Sequence, residues 1–300
     1  MRSPWPARWI ALRAHSVAGS AARDGVRASS GGSEMTALIH TAPKILAIGL
    51  VALRQALAER MSIAVRALFY GVVLLVFSQL WTVVLDAGAL DPERAGDYVW
   101  YLAITEWVVL SVPQVHPSVE ADLQDGAVAY RMARPLGYLW AQAAETLGEV
   151  AVRLAVLAVA GTAFAWLLTG GLPTDPRGLV WALPLGVLSA LALVGMQLVI
   201  AFAAFWLHDA SPIYWVWQKA VFVLGGLMLP LDIYPTWLRE IALHSPFGPL
   251  LYGVGRTALT ADPTTAATTL AQVSFWTLVA WVLAFETQRR AVRRLLRDGG

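Results

Sequence analysis

The ionisable residue deepest in an apolar stretch of the sequence is Glu106, near the middle of a segment that spans about Tyr98 to Val115. A carboxylate at this depth of a bilayer is costly, which makes it a candidate functional residue that could accept a cationic substrate or pair with a basic group. The same side chain could instead line a hydrated helix interface or lie nearer the end of the span. Glu106 is therefore a candidate pathway residue with a structural role as the alternative.

Motifs for other chemistry are missing. Neither Lys44 nor Lys219, the two lysines, follows a glycine, so the chain has no Gly-Lys pair for a phosphate-binding loop. The histidines do not form a His-Glu-x-x-His motif, no Gly-x-Ser-x-Gly turn occurs, and cysteine is absent. We therefore expect a protein that is not an enzyme, binds no metal or cofactor itself, and has no nucleic-acid partner.

A polar segment, residues 122–136, holds the first group of candidate site residues. Val128, Met132 and Leu136 recur with helical spacing. Asp125 lies near the start of this stretch and two basic residues, Arg131 and Arg134, lie near its end, which suits the helix dipole. Pro135 is expected to end this helix. A short amphipathic helix on the cytoplasmic side could receive a push from a partner protein, or it could rest on anionic lipid. Both interpretations stay open on the residues alone.

A second candidate segment, residues 225–250, is too apolar for a free loop and too rich in proline for a straight span. Pro235 is expected to begin a short helix, Thr236–Leu243. Three apolar residues share one face of that helix: Trp237, Leu238 and Ile241. Because irregular backbone at membrane depth must be buried in protein or line an aqueous cavity, we expect a re-entrant hairpin on the outer side.

Composition identifies the elements that must position these segments. The chain has 300 residues, 58% of them hydrophobic and 14% charged, against roughly 25% charged in soluble proteins. This excludes a soluble globular enzyme, a disordered chain and a disulfide-stapled domain, and favours an all-α polytopic membrane protein. An interfacial helix is expected over residues 44–60. The six predicted spans cover about residues 67–85, 98–115, 150–168, 179–207, 212–229 and 270–285.

The basic residues predict the orientation. With the N-terminus inside, thirteen Lys and Arg residues flank the spans on the inner side and four on the outer side. Short loops rich in Lys and Arg stay in the cytoplasm. We therefore expect a multi-pass protein of the cell membrane with both termini cytoplasmic.

Residues 1–34 differ in composition from the rest, with five arginines and a Ser/Gly-rich run. They contain no apolar core long enough for a secretory signal. We expect a disordered tail, or an upstream start codon with Met35 as the true beginning. Residues 35–300 are then a single membrane domain.

The two broken segments resemble those of permease subunits of ABC-2 type ABC transporters, in the branch grouped with viologen and drug exporters. The similarity runs from about Leu50 to Arg297. Relatives often have a basic residue where this chain has Gln124 and Asp125. The inner motif is carried by Asp122, Leu123, Gly126, Ala129, Tyr130, Arg134 and Pro135. The outer motif is carried by Gly225, Gly226, Pro230, Leu231, Pro235, Trp237, Leu238, Pro246 and Phe247.

The resemblance implies a dimer of permeases above two copies of a separate ATPase, which binds the ATP and Mg. The second permease is another copy of this chain or a sister permease. The helix of residues 44–60 and the segment from Asp122 to Pro135, which includes Arg131, would contact the ATPase. The outer segment would act as a gate, and substrate would be exported by alternating access.

Two other function classes remain open. An ion-coupled secondary carrier would use Glu106 as its proton site, although such carriers usually show internal repeats and paired broken spans, and only one broken region is evident here. A membrane-embedded transferase or protease would need a catalytic constellation, and none is found in the sequence.

Overall fold

The computed structural model describes residues 32–86, 95–132, 137–207 and 209–298. Within these ranges the chain is helical and has no β-strand, which confirms the predicted all-α class. The helices are α1 (Gly32–Ala58), α2 (Arg60–Asp86), α3 (Ala95–Ser111), α4 (His116–Gln124), α5 (Ala127–Met132), α6 (Tyr138–Thr169), α7 (Leu179–Leu207), α8 (Ser211–Leu224), α9 (Thr236–His244), α10 (Val254–Thr260) and α11 (Pro263–Asp298).

The chain divides into two units, residues 1–44 and residues 45–300. Of the first unit, the structure describes residues 32–44, which are helical. Residues 1–31 of the predicted tail lie outside the described residues. The sequence placed the boundary after residue 34, ten residues before the division seen in the structure.

Among the residues that the structure describes, four helices are long and apolar enough to cross a membrane. The qualifying stretches are Arg60–Trp81, Tyr138–Thr169, Pro176–Leu207 and Pro263–Leu295. They contain the third, fourth and sixth predicted spans, and they cover the first predicted span as far as Trp81. A multi-pass membrane protein is consistent with this architecture, since each stretch exceeds the roughly 20 residues that a bilayer core requires.

The helices at the second and fifth predicted spans are shorter. Helix α3 has 17 residues and ends at Ser111, before the predicted Val115, because Pro113 follows. Helix α8 has 14 residues and ends at Leu224, so the predicted span to residue 229 is too long. The chain turns at Gly226, whose φ of +64° is left-handed and favours glycine.

Helix α7 is the most buried of the four long apolar stretches and packs along α11. The backbones approach closely at Gly195, where an added Cβ would lie 3.0 Å from that of Ala280. Small residues allow such contact between apolar helices. The indole of Trp281 donates to the carbonyl of Leu191 at 3.1 Å, and the hydroxyl of Thr277 donates to that of Leu188 at 3.3 Å.

Helix α3 lies among α2, α6 and α7. The hydroxyl of Tyr70 on α2 donates to the carbonyl of Ala103 on α3 and fits beside Gly161 of α6. The indole of Trp107 donates to the carbonyl of Leu154 on α6 at 2.8 Å. These bonds connect helices through backbone carbonyls, so the core around α3 is held by polar contacts as well as by packing.

The predicted interfacial helix differs in its bounds from the helix observed. Helix α1 begins at Gly32, earlier than residue 44, and ends at Ala58. Glu59 interrupts the helix and α2 begins at Arg60. Residues 49–53 of α1 lie against α6 at Gly148, where an added Cβ would come within 2.9 Å of the Cβ of Ala52.

Candidate functional site

The inner candidate segment folds as an elbow of two short helices, α4 and α5, joined by a turn at Asp125 and Gly126. Gly126 has a φ of +69°, which reverses the chain between the helices. The short helix predicted around Val128 and Met132 is present as α5, and residues 133–136, over which it was expected to continue and end, lie outside the described residues. Helix α4, which precedes the turn, was not predicted. Pro117 in the first turn of α4 is the sequence signal that would have indicated the missed helix.

Asp122 binds the elbow to α6. Its Oδ2 accepts a hydrogen bond of 2.7 Å from the hydroxyl of Tyr138 and lies 3.2 Å from Nη1 of Arg131. The same guanidinium lies 3.5 Å from Oε2 of Glu145 on α6. Asp122 is buried, and its carboxylate is bound by two donors, Tyr138 and Arg131. Because a buried charge-assisted interaction is costly to break, Asp122 fixes the positions of both side chains. Asp122, which was predicted to belong to a partner contact, therefore links three helices within the chain: α4, α5 and α6.

The other end of α4 contacts α8. The backbone N–H of Ala210, just before α8, donates to Oε1 of Glu120 at 2.7 Å. The amide of Gln114 donates to the hydroxyl of Tyr214 at 2.8 Å, and the ring of His116 lies 4.7 Å from the Tyr214 ring. Burial lowers the pKa of His116, against smaller opposing effects of nearby carboxylates, so the imidazole is neutral at pH 7. None of these contacts was predicted from the sequence.

The remaining residues of the inner motif lie in different environments. Tyr130 is 69% exposed, whereas Val128 of the same helix is buried and Leu123 packs partly against the core. Arg131 is half-buried in its ion pairs, and Gly126 forms the turn. Two further predicted residues, Arg134 and Pro135, lie outside the described residues. Among the described residues of the inner motif, Tyr130 is thus a large side chain that lies on the surface.

A cavity of about 580 Å³ lies between α1, residues 113–118 and α6. Its apolar wall includes Ile48 and Val51, and carboxylates line its other side. The amide oxygen of Gln142, a buried residue, has no hydrogen-bond partner among the described residues. The carboxylates are those of Glu59, Glu145 and Glu149. The elbow and α1 were both predicted to contact the ATPase, and both line this cavity.

The outer segment begins with the turn at Gly225 and Gly226. The carbonyl of Gly226 accepts a hydrogen bond of 2.6 Å from the hydroxyl of Tyr101 on α3. Pro230 and Leu231 are buried, and helix α9 begins directly after Pro235, which confirms the predicted short helix.

The predicted apolar face of α9 lies on the surface of the chain. Trp237 and Ile241 are exposed and Leu238 is half-buried, whereas Ala242 packs inward. Pro246 and Phe247 follow α9 and are partly buried. This surface is apolar, and none of the described residues packs over it.

Asp232 holds the outer segment in place through two side-chain contacts, and this role was not predicted from the sequence. Its Oδ1 accepts a hydrogen bond of 2.8 Å from the hydroxyl of Tyr252 and lies 3.4 Å from Nη2 of Arg239. Burial, followed by the bond to Asp232, raises the pKa of Tyr252 to about 12, so the phenol remains protonated as the donor. An outer cavity of about 560 Å³ lies beside this pair.

Glu106 is 5% exposed in the middle of α3. The ion pairs formed by the described residues do not include it. Tyr101 of the same helix binds the outer segment, and residues 114–116 beyond its end bind α8 near the elbow. Glu106 therefore lies between the two candidate segments and contacts neither through a hydrogen bond seen in the described chain.

Helices α3 and α8 join the two segments. Gln114, just beyond the end of α3, donates a hydrogen bond to Tyr214 of α8, and Tyr101 of α3 donates one to Gly226, just beyond the end of α8. The two helices therefore connect the elbow with the outer turn along the chain, and a hydrogen bond links their surroundings near each end.

A scan against protein-family models and a search of curated proteins both find no match for this chain. The function is therefore proposed from the geometry of the two segments and the residues that they contain.

Proposed function

We propose that this chain is the membrane-spanning permease subunit of an ATP-driven ABC exporter of the ABC-2 type. A separate ATPase subunit binds ATP and Mg, and a second permease, either another copy or a sister chain, completes the pathway. The complex lies in the cell membrane with both termini of this chain in the cytoplasm. The observation that carries the proposal is the elbow, which is fastened to α6 through Asp122 and to α8 through Glu120.

The elbow would transmit movement of the ATPase to the membrane helices. Tyr130 is exposed on α5, while Arg131 on the next residue is bound to Asp122 and Glu145. A partner that pushes on the exposed side of α5 would therefore move α4 and α6 together. Helices α3 and α8 would transmit that movement to the outer turn at Gly226.

The outer segment would be the exit gate. It consists of a turn and a short helix with an exposed apolar face. The side chain of Asp232 accepts a hydrogen bond from Tyr252 there, and the segment lines an outer cavity. Displacement of α8 would break the bond between Tyr101 and Gly226 and free the turn from α3. Alternating access then follows when the elbow is displaced at the inner end.

The test is co-purification of this chain with an ABC ATPase subunit, sought first among the neighbouring genes, followed by transport in proteoliposomes. We expect a stable complex, ATP-dependent export, and loss of the complex on Tyr130→Asp. Trp237→Asp is the control for complex formation, since Trp237 is an aromatic residue as exposed as Tyr130 but lies on the outer segment. If no ATPase subunit associates and transport persists without ATP, the proposal is wrong.

A second candidate function rests on Glu106, a buried carboxylate without an ion pair in the described chain. In an ion-coupled secondary carrier it would bind the proton. Glu106→Gln would then abolish transport driven by a pH gradient. Unchanged transport by that variant, with or without a gradient, would remove this candidate.

A further inference from the structure

A cavity of about 500 Å³ at the C-terminal ends of α7 and α11 has an unusual lining. Five side chains form it: Trp206, Arg290, Arg293, Arg294 and Arg297. The arginines recur at intervals of three and four residues, so they share one face of α11. The mechanism proposed above uses none of them.

The positive charge of this cavity is only partly balanced. Glu286 lies 2.9 Å from Nε of Arg290 and 3.8 Å from Nη1 of Arg289. The ion pairs formed by the described side chains do not include Arg293 or Arg297, and both are exposed. The surplus guanidinium groups therefore face a space that an anion can enter.

The lining indicates the class of anion. Guanidinium groups bind phosphate and carboxylate alike through two parallel hydrogen bonds, so the rest of the lining must distinguish the two anions. Trp206 adds an indole, a group that is enriched at the membrane surface. Leu207, the next residue along α7, and Phe285, five residues before Arg290 on α11, are exposed apolar residues that acyl chains can cover.

We propose that this cavity binds the phosphate groups of an anionic phospholipid. The cavity lies at the ends of two helices that are each long enough to cross a bilayer, and both ends are predicted to face the cytoplasm. Basic pockets between membrane helices on that side bind phospholipid headgroups. The bound lipid would fix the end of α11 against α7 independently of substrate or ATPase.

The test uses the full chain, purified in detergent and stripped of lipid, with cardiolipin, phosphatidylcholine or inorganic phosphate added and bound molecules counted by native mass spectrometry. We expect cardiolipin to bind and phosphatidylcholine not to bind at the same concentration. Arg293→Gln and Arg297→Gln should each weaken cardiolipin binding about fivefold, as expected for loss of one basic residue at a lipid surface.

Arg289→Gln is the matched control, because it removes one arginine from the same helix outside the cavity lining. We expect it to change cardiolipin binding less than twofold, and Trp206→Ala to weaken binding. Equal losses in the three arginine variants would show diffuse charge attraction and overturn the proposal. Displacement of cardiolipin by millimolar inorganic phosphate would assign the cavity to free phosphate and also overturn it. Elution volume and melting temperature check that each variant is folded.

Discussion

The hydroxyl of Tyr138 donates a hydrogen bond of 2.7 Å to the carboxylate of Asp122, at the point where the elbow meets the start of α6. Arg131 lies 3.2 Å from the same carboxylate. Sixteen residues of chain separate Asp122 from Tyr138, and the bond closes that segment onto α6. The elbow is thus bound to the first residue of α6.

Asp122→Ala should destabilise the chain. It removes the acceptor of Tyr138 and the partner of Arg131, and the expected loss is about 2 kcal/mol of unfolding free energy because Arg131 keeps some access to solvent. The measurement is the melting temperature in detergent. Asp125→Ala, at an exposed position of the adjacent turn, is the control and should leave that temperature nearly unchanged. Equal melting temperatures for the two variants would contradict the assigned junction.

Gly126→Ala should destabilise the elbow through the backbone alone. No atom lies within 4 Å of the added Cβ, but the φ of +69° costs an alanine about 1 kcal/mol. Gly171→Ala is the control, since its Cβ also meets open space and its φ is not in the left-handed range. The expected result is a lower melting temperature for Gly126→Ala and weaker binding of the ATPase. A variant as stable as the control would show that the turn does not need glycine.

Stability should fall as the pH drops through the range in which an unfolded histidine gains a proton. Burial lowers the pKa of His116, so the unfolded chain binds more protons there and the folded state loses stability as the pH falls below about 6.5. Glu120 and Asp209 act in the opposite direction and reduce the effect. His116→Asn should flatten the melting temperature between pH 7.5 and pH 5.5 relative to the wild type. An unchanged pH dependence would rule out His116 as the source.

The proposed orientation is open to a direct test because the chain has no native cysteine. Arg177→Cys should react with a membrane-impermeant maleimide in intact cells. Gln124→Cys on the elbow should react only after the cells are permeabilised. Both positions are exposed, so accessibility within the fold does not limit either reaction. The reverse pattern would invert the proposed topology.

The sequence predicted those features that depend on neighbouring residues. Four of the six predicted spans lie in helices of sufficient length, and the helix after Pro235 begins where expected. Hydropathy is a sum over a short window, and proline acts on its own helix turn, so both signals are local. The second and fifth spans were predicted less well because Pro113 and Gly225–Gly226 end their helices early.

The candidate residues were located by motif, but their roles depend on the path of the chain. Asp122 belongs to a motif expected to contact a partner, yet its carboxylate is buried against Tyr138 and Arg131. Helix α4 and the fastening at Asp232 were missed, since each depends on residues distant in sequence: Glu120 meets Ala210, and Asp232 meets Tyr252. Single-sequence patterns contain no information on such pairs.

The sequence by itself determined an all-α chain with apolar stretches of membrane length and no Gly-Lys pair for a phosphate-binding loop. These properties follow from residue types and their spacing along one helix. Tertiary structure alone decided that α3 and α8 join the elbow to the outer turn, and that four arginines of α11 share a cavity with Trp206. Both arrangements require segments far apart in the chain to lie side by side, which is a consequence of helix packing.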